Sequence, residues 1–121
     1  MDPQEAMRLG RLAERRVSRY LWCRGWRIAA RNWIGGGGEL DVVASRWRTL
    51  LVVEVRRRIT GREALASIDR EKFARTMQAA QALIRTHDLQ VYRLRYDVIG
   101  IDAAGALHRR CDVSHAGVIG D

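Results

Sequence analysis

The chain has 121 residues, which suits one domain (1–121) with a core large enough to need no disulfide staples. Its hydrophobic fraction of 47% is that of a globular protein, and no apolar run is long enough to span a membrane. Net charge is +8, with 22 basic residues against 14 acidic, and this excess points to a polyanionic partner. Lys72 is the single lysine; the other basic residues are arginines, whose planar forks match phosphate oxygens. The N-terminal stretch MDPQEAMRLG lacks the apolar core of a signal peptide. Cys23 and Cys111 are too few for a disulfide framework and read as small core residues in a reducing, cytoplasmic setting.

Residues 4–24 are predicted to form a helix, with Leu9, Leu12, Ala13, Val17, Tyr20 and Leu21 at helical spacing. Pro3 suits its first turn and Gly25 its end. WRIAARNW (26–33) reads as a strand. The glycine run 35–38 reads as a loop that is mobile until a ligand arrives, or as a plain connector. It lacks the lysine and hydroxyl residue of a phosphate-binding loop. ELDVVAS (39–45) is a second strand and 49–57 a third. A long helix is predicted over 62–86, with Leu65, Phe73, Met77, Ala80 and Ile84 on one stripe. Residues 91–102 form a fourth strand and 106–112 a short fifth; the tail 113–121 shows no pattern and reads as loose. The fold class is therefore α/β: a mixed sheet flanked by helices in the order α-β-β-β-α-β(-β).

The stretch LLVVEVRRR (50–58) places a carboxylate inside a core strand. If strands two and three form a hairpin turning between Trp47 and Arg48, six residues separate Asp41 and Glu54 each from the turn's centre, so they lie opposite. Opposed residues share a face with Cβ atoms about 4.5–5.5 Å apart. The same count sets Glu39 opposite Arg56, and period two puts Glu39, Asp41 and Val43 on one face. Two facing carboxylates repel unless neutralised, and hard oxygen donors suit Mg²⁺ or Mn²⁺. Arg56 would then meet a phosphate oxygen. A hairpin edge laced with salt bridges, Glu39 to Arg56 and Asp41 to a nearby arginine, accounts for the same spacing. A slip of one residue would carry Glu54 to the other face.

Asp-x12-Glu-x-Arg on a hairpin after an N-terminal helix resembles the PD-(D/E)xK nuclease motif. The ordered motifs GRLAERRVSRYLWCRG, RNW, GGELDVVA, LLVVEVRRR, REKFARTMQAAQALI and RYDVIGI are similar to those of the YraN-like family of predicted endonucleases, relatives of archaeal Holliday-junction resolvases. The resemblance covers about residues 10–102. It implies a restriction-endonuclease-like fold, metal-dependent action on DNA, and a homodimer. It implies Asp41 and Glu54 as metal ligands, with Glu39 holding a water or orienting Arg56. It also implies that Glu14 faces the site from the first helix and that Lys72 reaches phosphate or the metal site. Arg56 departs from the motif's lysine. Arginine stays protonated and cannot act as a base, though it can clamp phosphate.

Arg57 and Arg58 alternate along the strand, so one is expected on DNA backbone and the other in solvent. Asp97 reads as a structural partner of arginines. His87, His108 and His115 have no metal-ligand spacing and receive no function. Trp22, Trp26, Trp33 and Trp47 read as core or dimer packing ahead of base stacking. The leading reading is an endonuclease acting on structured or branched DNA. The alternatives are a silent nucleic-acid-binding module with a lapsed site, and a protein-interaction domain.

Overall fold

The computed structural model describes residues 1–67 and 69–113. It contains α1 (Pro3–Trp22), β1 (Arg27–Gly35), β2 (Gly38–Arg46), β3 (Thr49–Arg57), α2 (Gly61–Leu65), α3 (Arg70–His87), β4 (Arg93–Ile101) and β5 (Leu107–Arg110). The strands form one sheet in the order β1-β2-β3-β4-β5. Pairing is antiparallel except between β3 and β4, which run parallel and are joined by the α2–α3 crossover. This is a mixed α/β fold with the restriction-endonuclease-like order of elements. No helix among the described residues is long and apolar enough to cross a membrane.

Helix α1 begins where Asp2 accepts the Gln4 N–H at 3.2 Å and Pro3 takes the first turn. Ala13, Val17 and Leu21 bury its inner stripe against Val42, Leu51, Val53 and Ile99 on one sheet face. Helix α3 covers the other face, setting Phe73, Ala80 and Leu83 against Leu50, Val52 and Val98. β3 therefore buries both faces, which explains its unbroken apolar run. Each fully buried Leu, Val or Ile here contributes about 1.5–3 kcal/mol relative to exposure.

The single long helix expected over 62–86 is two helices. Asp69 caps α3 by accepting the Lys72 N–H at 2.8 Å, and Thr60 caps α2 by accepting the Glu63 N–H at 3.1 Å. An aspartate offering its side chain to the backbone competes with continued helix, so the chain restarts there. The glycine run is also not a mobile loop. Gly35 pairs with Gly38, and Gly36 and Gly37 make a two-residue hairpin turn at φ +59° and +83°. A Cβ on Gly36 would lie 2.7 Å from the Gln78 carbonyl oxygen, and one on Gly38 2.6 Å from that of Arg75. The glycines let this hairpin tip press on the α3 backbone.

Both cysteines are exposed rather than in the core. Trp26 is buried and Trp33 packs against the α3-side core, but Trp22 and Trp47 are 68% and 93% exposed. Core packing therefore accounts for two of the four tryptophans. The tail beyond Val113, with His115, lies outside the described residues.

Candidate functional site

β2 and β3 pair in the register counted from sequence, from Arg46 opposite Thr49 to Val42 opposite Val53. The ladder stops there, one step before Asp41 and Glu54. The Asp41 carboxylate itself accepts the Val55 N–H at 2.9 Å, filling the place of a backbone acceptor. β3 then continues alongside β4 as far as Arg57 opposite Ile101. On the other side, β1 carries Asn32, at φ +54°, between Arg31, which pairs with Val42, and Trp33, which pairs with Leu40. Leu40 belongs to the α3-side core and Val42 to the α1-side core, so strict alternation is lost at Asp41. The strands splay at the position of the two carboxylates.

The splay opens a cleft of about 280 Å³ lined by Glu14 of α1, Asp41 of β2, Glu54 and Arg56 of β3, and Lys72 of α3. Glu54 is only 2% exposed. Its Oε1 lies 3.2 Å from Arg56 Nη2 and 3.4 Å from Lys72 Nζ. Burial pushes the Glu54 carboxyl up to about 7; the Asp41 charge adds to this, while Lys72 and Arg56 oppose it. Burial likewise raises Asp41, against the Val55 N–H and the Lys72 charge. Glu14 is raised by burial, with a hydrogen bond to Asn32 opposing and the charges of Asp41 and Glu39 assisting. Glu14 Oε1 and Arg56 Nε are buried without a hydrogen-bond partner among the described residues. Unpaired buried polar atoms are costly, so their persistence around one cleft is informative.

The structure thus brings together Glu14, Asp41, Glu54, Arg56 and Lys72. Glu39 is placed differently from the expectation. It is exposed and pairs with Ile34 of β1, because the β2–β3 ladder ends before it could face Arg56. Arg56 pairs with Gly100 of β4 and its guanidinium goes to Glu54. Glu39 acts on Asp41 and Glu14 through charge. Arg57 and Arg58 are both exposed and border the cleft, and Arg58 Nη1 donates to the Arg57 carbonyl at 2.7 Å. The strand ends at Arg57, so alternation no longer governs Arg58.

Two neighbours escape sequence reading. Asn32 needs a left-handed backbone that no pattern announces. Tyr96 is buried with its hydroxyl unpaired among the described residues. Burial raises the Tyr96 hydroxyl strongly, and the Glu54 charge raises it further. The signal was its place on β4, two residues before Val98, which pairs with Glu54.

A family model described as uncharacterised protein family UPF0102 matches residues 13–101, a span holding Glu14, Asp41, Glu54, Arg56 and Lys72. The chain belongs to UPF0102. A UPF0102 protein of Myxococcus xanthus is 36% identical over 115 residues, covering 93% of this chain and 89% of its own length. One of Chloroflexus aurantiacus is 37% identical over 114 residues, covering 93% and 92%. One of Roseiflexus castenholzii is 38% identical over 112 residues, covering 89% of each. UPF0102 membership agrees with the YraN-like resemblance.

This UPF0102 chain has a second buried carboxylate, Asp97, and its surroundings are of another kind. Asp97 accepts two bonds from Arg95 at 3.0 Å, two from Arg109 at 2.9 and 2.7 Å, and the Asp112 N–H at 2.9 Å. Burial alone would raise its carboxyl, but Arg95, the Asp112 N–H and Arg109 outweigh that and hold it below the usual range. Its acceptor capacity is spent within the fold, as expected of a structural partner of arginines. His108 pairs with Asp102 at 2.8 Å and His87 sits edge-on to Trp33; neither reaches the cleft. Among the described residues, no group of three or more His, Cys, Asp or Glu gathers as a metal cage.

Proposed function

We propose that this UPF0102 protein is a metal-dependent endonuclease of structured or branched DNA, with Asp41 and Glu54 as the ligands of Mg²⁺ or Mn²⁺. The observation that carries the reading is the meeting of a buried carboxylate, Glu54, and a half-buried one, Asp41, each raised, in one cleft with Arg56 and Lys72. The donor set fits a hard divalent cation: two carboxylates, a spare buried oxygen on Glu14, and room for water and phosphate. Mg²⁺ commonly takes one or two carboxylates and keeps several waters. When bound, the cation supplies charge neutralisation, polarises a phosphoryl oxygen and lowers the pKa of a coordinated water.

The chain's own residues do the positioning. The Val55 N–H fixes the Asp41 carboxylate, and Arg56 fixes Glu54. Glu14 Oε1 offers an acceptor that can orient a water. Arg57 and Arg58 at the rim hold DNA backbone by charge. Arg56 cannot supply the amine that the nuclease motif carries at its position. Lys72 supplies an amine beside Glu54 from α3 instead. A homodimer would set two such clefts against two strands.

The second reading, a silent DNA-binding module, is favoured by Arg56 at the motif's lysine position and by ion pairs that already neutralise Glu54. The test incubates the protein with junction, flap, single-stranded and duplex DNA in Mn²⁺, Mg²⁺ or EDTA. Cleavage that requires metal and disappears in Asp41→Asn, with DNA affinity kept, supports the enzyme. Metal-dependent cleavage that persists in the Asp41→Asn, Glu54→Gln double variant removes the site assignment. DNA binding without cleavage, in wild type and Arg56→Lys alike, establishes the silent module.

A further inference from the structure

A wide groove lies away from the carboxylates, between α1 and the sheet-edge strand β1. It measures about 690 Å³ and is lined by Arg15, Ser18, Arg19, Trp22, Ile28 and Arg31, with no acidic residue among its lining. Arg15, Arg19 and Arg31 form no ion pair among the described residues, unlike Arg56, Arg95 and Arg109. Three cations in a concave surface with no counter-charge repel one another and attract an anion. Trp22, the last residue of α1, stands at this groove 68% exposed. An indole held open beside arginines is a stacking platform for an unpaired base.

The groove also leads somewhere. A smaller recess lined by Arg11, Glu14, Arg15, Arg31 and Asn32 shares Arg15 and Arg31 with it. That recess shares Glu14 with the carboxylate cleft. Arg11, Arg15 and Arg19 follow each other at one-turn intervals along α1, steps of about 6 Å. A cationic track therefore runs along α1 from Trp22 to the carboxylates. A second copy of the chain is a poor occupant, since it would set arginines against arginines. A duplex is also poor, because its bases are closed to the Trp22 ring.

We propose that the α1–β1 groove holds a single-stranded DNA arm, with a base stacked on Trp22 and phosphates on Arg15, Arg19 and Arg31. The direction of the track toward the carboxylates rests on the nuclease reading; the binding itself does not. On that reading the substrate is a duplex bearing a single-stranded arm, led past Arg11 into the cleft.

The experiment measures binding by fluorescence anisotropy in EDTA, so that cleavage plays no part. The probes are oligo-dT of about 15 nucleotides, a blunt duplex, and that duplex with an oligo-dT tail. Trp22→Ala is expected to weaken oligo-dT and tailed-duplex binding about five- to tenfold, the loss of one base stack, while Trp22→Phe retains it. Arg15→Glu with Arg19→Glu is expected to weaken both more than tenfold and to lower the salt slope by about two. The altered side chains lie on the solvent side of α1, and matching circular-dichroism melts confirm intact variants. Unchanged oligo-dT affinity in the triple variant, Trp22→Ala with Arg15→Glu and Arg19→Glu, would overturn the proposal. So would an equal loss on the blunt duplex, or preference for phosphatidylserine vesicles over oligonucleotide. If groove variants lose binding while no substrate is ever cleaved, the nuclease reading fails and the groove stands. If cleavage is normal in the triple variant, the groove fails and the nuclease reading stands.

Discussion

Lys72 Nζ lies 3.4 Å from Glu54 Oε1, joining the first turn of α3 to the end of the core strand β3. The contact is set up by the helix cap: Asp69 holds the Lys72 N–H at 2.8 Å, which fixes where the lysine leaves the backbone. Glu54 is almost fully buried and has the raised carboxyl of a desolvated group, so the lysine is one of two cations that make its charge tolerable.

Replacing that lysine should therefore be felt before any substrate is added. In EDTA, Lys72→Met is expected to lower the melting temperature by about 4 °C, near 1 kcal/mol for the lost charge-assisted contact. Mn²⁺ should then stabilise the variant more than wild type, because a competing cation is gone. Calorimetric scans with and without Mn²⁺ check this. Identical metal-induced shifts in the two proteins would show that Lys72 and the ion do not share the cleft.

Glu54 also sets a pH dependence. Its folded-state value is pushed up to about 7, above the ordinary glutamate value of 4.5 that the unfolded chain keeps. The unfolded state therefore releases its proton first as pH rises, and stability falls across that interval. The contribution is whole below pH 4.5 and lost as pH passes 7, amounting to about 3 kcal/mol before coupling to Asp41 is considered. Urea titrations in EDTA at pH 5, 6, 7 and 8 measure the slope. Glu54→Gln should flatten it; an unchanged slope would move the titration to another group.

The second buried carboxylate behaves in the opposite sense. Asp97 is held below the usual range, so its contribution is present above the unfolded aspartate value and lost as pH falls through its lower folded value. Asp97→Asn leaves Arg95 and Arg109 facing a neutral amide and should cost about 3 kcal/mol at pH 7. Far-UV melts decide it, and a loss below about 0.5 kcal/mol would mark the arginines as solvated instead.

The order of elements and the β2–β3 register are legible in the sequence, since the short turn at Trp47 leaves little freedom. Sequence reading recovered Glu54 because a carboxylate between Val53 and Val55 contradicts the strand around it. It missed the splay at Asp41, which depends on Asn32 adopting a left-handed backbone and on a side chain replacing a ladder bond. Such choices are settled by tertiary contacts, not by local propensity. Glu39 was misplaced for the same reason. The break before α3 was legible in Asp69, a good cap, but the helical apolar spacing continued across it. The exposure of Trp22, Trp47 and both cysteines shows that residue type alone does not fix burial.

The glycine run carries a mutational contrast. Gly36→Ala must hold φ +59° and place a Cβ 2.7 Å from the Gln78 carbonyl oxygen. It should cost about 1–3 kcal/mol. Gly10, mid-helix in α1 with nothing near its missing Cβ, should gain about 0.5–1 kcal/mol as alanine. Denaturant melts of the two variants test the contrast. Equal and small effects would mean that the hairpin tip does not press on α3.

The crossover between β3 and β4 also dictates when, during synthesis, the cleft can come into being. The β2–β3 segment carries both Asp41 and Glu54 and leaves the ribosome before α3. Lys72 follows only with α3, and Tyr96 later still. Until α3 docks, water does the work that Lys72 does in the finished protein. The depressed acidity of the carboxylate pair is thus acquired at the last step of assembly, so an incomplete chain carries these residues without their chemistry.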